Sequence, residues 1–385
     1  MSWITEFEYV VVGGGLAGTI IAEHIARVLN KKVLIIERNL VLGGHCYDYV
    51  HESGIRVHKY GPHLFHTPFK EVWEYLSQFT EWDYYQHRVM GWIDGKYVPI
   101  PFNFNTLYAL LPTEFARRLE SKLLEKYDYG SRIPIKEFMD ADDEDLRFLA
   151  NFVYEKIFYG YTSKQWGRKP EEISADVLAR VPIVLSRDDR YFNDQYQGVP
   201  KRGYTTMIRN IATHKNIFVL LNTHHKELIK LDNGRIYLDG QEFKGLLIYT
   251  GSIDDLFDYK FGHLPYRSLR FRWQVVHEKQ FQPVAQVNFP LEYEYTRITE
   301  YKHIHPLDVP YTVVAYEFPE EYEYGKNLPF YPLFTEGGQE AYLKYQELAK
   351  KYKNLILLGR LAEYRYYDMD DTVKRSMEIF EEKIL

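Results

Sequence analysis

Three glycines and an acid near the start of the chain carry its clearest chemistry. Gly13, Gly15 and Gly18 fall on the spacing G-x-G-x-x-G, and Glu37 follows 19 residues after the last of them. In a dinucleotide site the first glycine permits a tight turn. The second lets a pyrophosphate approach the backbone, and the third lets a helix pack on a strand. The helix N-terminus then offers unpaired N–H groups and a positive dipole end to the phosphates. A carboxylate at the Glu37 position accepts from ribose hydroxyls. The elements that must hold these groups are legible on either side. Tyr9 to Val12 is a β-branched apolar run, Thr19 to Leu29 is amphipathic, and Val33 to Ile36 is a second apolar run. Together they predict one βαβ unit. Glycines also serve ordinary turns, so the motif gains its weight from strand, helix, strand and acid falling in order.

Other stretches have the composition of a site. Gly61-Pro62 sets a turn, which predicts that His63 and His66 sit on a loop. They lack the carboxylate or cysteine set of a metal centre, so a loop histidine beside a cofactor is the functional reading and a surface turn the structural one. Phe158 to Gly167 is a dense aromatic, glycine and polar run just past a helical pattern, suited to stacking a base. Gly359-Arg360 follows a buried strand and precedes a last helix, forming a second anion-receiving edge.

Composition narrows the class. The chain has 385 residues, 45% hydrophobic and 26% charged, enough for two or three folded domains. A formal charge of −6 gives no general attraction to nucleic acid or anionic lipid, so any anion must be held by locally placed Arg or Lys. The single cysteine, Cys46, excludes an internal disulfide and suits a reducing compartment. No apolar run is long enough to span a bilayer, which predicts a soluble, cytoplasmic protein with no membrane partner. The 35 tyrosines exceed what a core needs and suit a cleft that grips sugars and bases.

The fold class expected is mixed α/β. A Rossmann-like domain (1–85, 204–265 and 345–385) is interleaved with a helical domain (103–180) and an antiparallel sheet domain (86–102, 181–203 and 266–344). Within these, Tyr97 to Pro101 reads as an edge strand, since it carries two prolines. Phe115, Leu119, Leu123 and Tyr127 predict a helix stopped by Gly130. The acids from Asp140 to Asp145 suit the first turn of another.

Arg38 and Gly43-Gly44 extend Glu37 into E-R-x-x-x-x-G-G. This resembles the FAD-binding signature of glutathione-reductase-like flavoproteins; an NAD site followed by an unrelated Gly-Gly loop is the alternative. Over its whole length the chain resembles the bacterial UDP-galactopyranose mutase family. The blocks that carry this are the glycine fingerprint, Gly61 to Thr67, Tyr161 to Gly167, Arg180-Val181-Pro182 and Tyr191-Phe192-Asn193. Tyr295 to Glu300, Tyr331-Pro332 and Gly359 through Asp370 complete the set.

The resemblance implies the following roles. FAD, active in its reduced form, is held by Gly13, Gly15, Gly18, Glu37, Arg38, Gly44, His63, Arg360, Asp368 and Met369. Tyr161, Thr162 and Trp166 lie near the uridine. Arg180, on a mobile loop, and Arg297 act on the substrate diphosphate. Tyr191, Asn193, Tyr331 and Tyr366 hold phosphate or sugar hydroxyls, and Glu317 and Asp368 lie in the polar cleft. Arg180, Arg297 and His63 form the catalytic set. The implied reaction interconverts pyranose and furanose forms of a nucleotide-linked sugar, UDP-galactose first, through a reduced-flavin N5–sugar adduct. Relatives act on an N-acetylated galactose or a deoxythymidine-linked 6-deoxy sugar. An external reductant and a homodimer are implied as well. A flavin oxidoreductase and a non-catalytic nucleotide-sugar binder are the rivals from other classes.

Overall fold

The computed structural model describes residues 6–167 and 182–385. Tyr9–Val12 and Val33–Ile36 are almost wholly buried and pair in parallel, Tyr9 opposite Val33 and Val12 opposite Ile36. Burial on both faces is why these runs are continuous rather than alternating. They are the centre of a five-stranded parallel sheet ordered Ile217–Leu220, Val33–Ile36, Tyr9–Val12, Leu246–Tyr249, Leu355–Leu357. Helix Leu16–Val28 connects the first pair. It is buried along most of its length, since the C-terminal helix Met369–Lys383 packs on its outer side. Apolar residues from both helices and the sheet form one continuous core.

A seven-stranded sheet faces this unit, ordered Tyr331–Pro332, Tyr266–Val276, Thr312–Glu321, Arg297–Glu300, Gln286–Asn288, Val89–Ile93, Lys96–Ile100. Its pairings are antiparallel except for Gln286–Asn288 beside Val89–Gly91, which is parallel. Lys96–Ile100, with Pro99, is an edge strand, where a residue without an N–H donor is tolerated. Register sets Arg297 directly opposite Glu317.

Helices Phe104–Leu110, Thr113–Lys126 and Glu144–Val153 close over a separate apolar core. The second of these is the helix predicted from Phe115, Leu119 and Leu123. Asp143 caps the third, its carboxylate accepting from the N–H groups of Asp145 and Leu146. The aromatic run at 158–167 departs from expectation, because it is helical rather than beyond a helix. A π-helical turn, Tyr154–Tyr159, continues straight into helix Gly160–Trp166. The wider turn accommodates an extra residue without ending the helix. Gly160 lets this backbone lie against Pro290, where a Cβ would stand 2.2 Å from the Pro290 carbonyl oxygen. Tyr196–Pro200 is a strand pairing with Phe65–Thr67 and with Trp82–Asp83.

The fold depends on close packing under the first turn. A Cβ on Gly18 would stand 2.0 Å from the Gly13 carbonyl oxygen and 3.1 Å from Val11 Cγ1. Gly18→Ala is expected to destabilise by about 1–3 kcal/mol, the usual cost of overpacking. A thermal melt should show the midpoint falling by a few degrees; an unchanged midpoint would mean the contact is not tight.

Candidate active site

A cleft of about 560 Å³ opens between the carboxyl ends of the parallel strands and the seven-stranded sheet. That volume is typical of a small-molecule site, and the carboxyl edge of a parallel sheet is where such ligands bind. Its floor is backbone. Gly14 N–H donates to Glu37 Oε2 at 2.7 Å, and Gly43 N–H donates to the Gly14 carbonyl at 2.9 Å. The two glycine turns are thereby tied together, and a Cβ on Gly44 would lie 3.0 Å from Gly15 Cα. Glu37 Oε1 accepts from Asn39 N and Nδ2 at 2.7 and 2.6 Å, which fixes the carboxylate at the end of its strand. Gly13, Gly15, Glu37, Arg38 and Gly44 all line the cleft. Gly18 does not; it lies beneath, where it lets helix and strand touch.

Arg360 enters from the far side, donating from Nη2 to His45 Nδ1 at 3.0 Å and lying over the Tyr331 ring. His45 stacks on Phe330 with centroids 5.0 Å apart. Burial, then the Arg360 charge, lowers the His45 pKa well below its ordinary value, so its Nδ1 is free to accept. Asp368, the N-cap of the last helix, and Met369, its first residue, close that end of the cleft. Tyr331 and Tyr366 stack at 6.1 Å and 19° on the same wall.

The other wall holds His63, Tyr191 and Arg297. Arg297 Nε donates to Glu317 Oε2 at 2.7 Å, an ion pair whose acid side chain is only 2% exposed. One of five guanidinium N–H donors is thus committed, and the pairing keeps the arginine charged and oriented. His63 Nδ1 lies 2.9 Å from the Gly61 carbonyl, which requires the proton on Nδ1 and leaves Nε2 as an acceptor. Burial first, with Arg360 and Arg297 contributing, lowers its pKa to about 4.

Some expected residues are placed differently. Glu317 stands behind Arg297, not in the cleft lining. Thr162 is buried in its helix, and Tyr161, within electrostatic reach of Arg297, Glu317, Tyr191 and Tyr331, is likewise not in the cleft lining. Asn193 lines a separate shallow depression with Tyr84 and Arg190, because the Tyr191–Asn193 turn faces two ways. Arg180 and the Trp166 side chain lie outside the described residues. His66 is on strand Phe65–Thr67, bonded to Asp194 at 2.7 Å and stacked on Phe192 at 3.6 Å. The sequence reading missed His45, His87, Gln286, Thr250, His224 and His225, all in the lining. Only His45, beside Gly43-Gly44, and Thr250, after a buried strand, had a local signal. Cys46 is buried and free, its thiol pushed up to about 12 by burial.

A side-chain-free floor, a helix N-terminus, a fixed Glu37 and Arg360 opposite make a cradle that fits FAD. The site and fold define a flavin-binding enzyme whose cleft carries Arg297 and Arg360 on its walls. Comparison with known proteins sharpens this. A sequence model of UDP-galactopyranose mutase matches residues 156–366, and one of an NAD(P)-binding Rossmann-like domain matches residues 11–79. The chain is 35% identical to UDP-galactopyranose mutase of Mycoplasma genitalium, covering 97% of this chain and 94% of that one. It is 34% identical to dTDP-fucopyranose mutase of Escherichia coli, covering 96% of each. A crystal structure of reduced UDP-galactopyranose mutase superposes with a TM-score of 0.70 at 17% identity, over 97% of this chain and 93% of that one. The chain belongs to the UDP-galactopyranose mutase family. It is an isomerase, and its cofactor is FAD. No described helix is long and apolar enough to cross a membrane.

The buried histidines give the protein a directional response to acid. Burial lowers His63, His225 and His305 to about 4 and His87 to about 3. Between those values and 6.5 the unfolded chain binds more protons, so stability rises with pH through that window and is complete above it. Thermal midpoints are expected to fall steadily from pH 7 to pH 5, with His87→Gln flattening the slope. A midpoint flat over that range would contradict neutral burial.

Proposed function

We propose that the chain interconverts UDP-galactopyranose and UDP-galactofuranose on reduced FAD. The observation that supports this most is Arg297, charged, clamped by Glu317 and lining the cleft beside His63 and Tyr191. A fixed guanidinium pairs phosphate oxygens bidentately, which suits a diphosphate that leaves and returns. Ring contraction changes no net oxidation state; bound and reduced, FAD supplies an electron-rich nitrogen that acts as nucleophile toward the sugar. The protein's part is to hold the anomeric carbon in place and stabilise the departing charge.

In this reading Arg297 and Arg180 receive the diphosphate, and Tyr191, Tyr331 and Tyr366 bond phosphate and sugar hydroxyls. Tyr161, Thr162 and Trp166 form the helix that meets the nucleoside. His63, neutral with Nε2 bare, presents an acceptor toward the reacting end. Glu37 and Arg38 hold the adenosine half of the cofactor, Arg360 its pyrophosphate, and Asp368 with Met369 the last helix N-terminus. A second reading has a specific support: the dTDP-fucopyranose mutase relative matches as well as the galactose enzyme does.

Incubating dithionite-reduced protein with UDP-galactopyranose, its N-acetyl analogue and a dTDP-linked 6-deoxy sugar separates these readings. Furanose product is expected from UDP-galactopyranose and only after reduction. Preferred turnover of the dTDP sugar would move the assignment to that substrate, and equal rates in the oxidised form would end the mechanism. A charge-assisted hydrogen bond contributes about 1.5–3 kcal/mol. Arg180→Ala and Arg297→Ala are therefore each expected to lower turnover by roughly one to two powers of ten. Turnover near the parent rate in both would remove these arginines from the reaction.

A further inference from the structure

The His63 loop is held by a histidine that the chemistry above does not use. His58 ends strand Arg56–His58 and is 0% exposed, packed edge-on against the rings of Tyr204 and Tyr301. Its Nδ1 accepts the backbone N–H of His63 at 3.0 Å. Its Nε2 lies 2.9 Å from His305 Nε2, and its own carbonyl accepts from the Tyr301 hydroxyl at 3.1 Å.

This arrangement permits one distribution of protons. A backbone N–H can only donate, so His58 Nδ1 must be bare. A neutral imidazole then carries its proton on Nε2, where it donates to His305. His305 Nε2 must be bare in turn, with its proton on Nδ1. Charging either ring would set two donors against each other. Burial keeps both neutral, lowering His58 well below its ordinary value and His305 to about 4.

Asp48, His58 and His305 bring ligand atoms within 4.8 Å of one another, the grouping a metal ion would need. The donors are already committed, however. Asp48 accepts from Tyr204 N at 3.0 Å, Thr205 N at 2.8 Å and Arg56 Nη1 at 3.4 Å. Both His58 nitrogens are bonded as above. The cluster is a hydrogen-bond relay, with Arg56 and Asp48 the charged groups beside it and His63 the histidine it serves.

We propose that His58 and His305 are positioning residues for the isomerase: the Nε2–H form of His58, held by His305, fixes the His63 backbone and so the His63 ring in the cleft. The two ends of His63 are then locked separately, the amide by His58 and the ring by the Gly61 carbonyl. Without the first bond, a part-buried N–H loses its partner and the Gly61–His63 turn relaxes. This rests on the reading that His63 faces the reacting end of the cleft.

Nitrogen-15 imidazole spectra of the full chain without FAD test the tautomer directly. His58 is expected to show protonated Nε2 and bare Nδ1 from pH 6 to pH 8; a protonated Nδ1, or a titration near 6.5, would overturn the proposal. His58→Asn keeps an acceptor near Nδ1, whereas His58→Phe keeps only the ring. With FAD bound and reduced, His58→Phe is expected to lower kcat roughly fivefold to tenfold with KM within about twofold. It should also speed His63 amide exchange at least tenfold, and His58→Asn should restore most of both. Equal loss in the two folded variants, or no loss in His58→Phe, would reduce His58 to packing. Should His58→Phe fail to fold, the tautomer and the Asn variant decide. Absence of FAD uptake by the unsubstituted chain would instead sink the site reading, so the two failures are told apart.

Discussion

Two backbone turns touching without side chains between them set the geometry of everything else. The Gly13–Gly15 turn and the Gly43–Gly44 turn are tied by the Gly43 N–H to the Gly14 carbonyl. Gly13, Gly43 and Gly44 all have positive φ, at 106°, 138° and 54°, so the path needs glycine as well as space. A side chain on either turn would collide with its neighbours, since a Cβ on Gly13 would stand 2.1 Å from Thr250 Oγ1 and one on Gly44 3.0 Å from Gly15 Cα. Because Gly18 lets helix Leu16–Val28 sit directly on the first strand, the helix N-terminus opens into the cleft beside these turns. The floor therefore presents backbone donors to the cleft, and the opposite wall presents side chains.

That wall depends on an ion pair between neighbouring strands. Arg297 and Glu317 lie directly across from each other in the seven-stranded sheet, so register alone brings them to bonding distance. Taking two charges out of water costs several kcal/mol, and close geometry offsets it only if both partners remain. Such a pair is weak evidence of stability. Its value here is orientation, since the guanidinium meets the cleft as a fixed cation rather than as a flexible arm. Tyr191 beside it, and the Tyr331–Tyr366 stack on the facing wall, add contact area and hydroxyl groups at small entropic cost, and this is where part of the surplus of tyrosine is used.

Local order in the chain was legible wherever local chemistry dictates it. The βαβ unit, the edge strand with Pro99 and the helix under Phe115, Leu119 and Leu123 each follow from periodicity, turn residues or a missing N–H donor. The helical course of 158–167 was not legible. Its glycines and polar residues weaken the helical pattern, while the π turn and the packing of Gly160 on Pro290 sustain it from outside the segment. Asn193 illustrates the same limit at the scale of one residue: two positions from Tyr191, it faces a different depression.

By itself the sequence determined the βαβ unit and its glycine turn, since glycine spacing, a strand and a helix start are all contained within about thirty residues. The tertiary structure alone decided which distant groups meet in and behind the cleft. His45 meets Arg360, His58 meets His305, and Arg297 meets Glu317 through contacts 315, 247 and 20 residues apart. No local pattern encodes such meetings, because they depend on sheet order, strand register and the burial that fixes each histidine's proton.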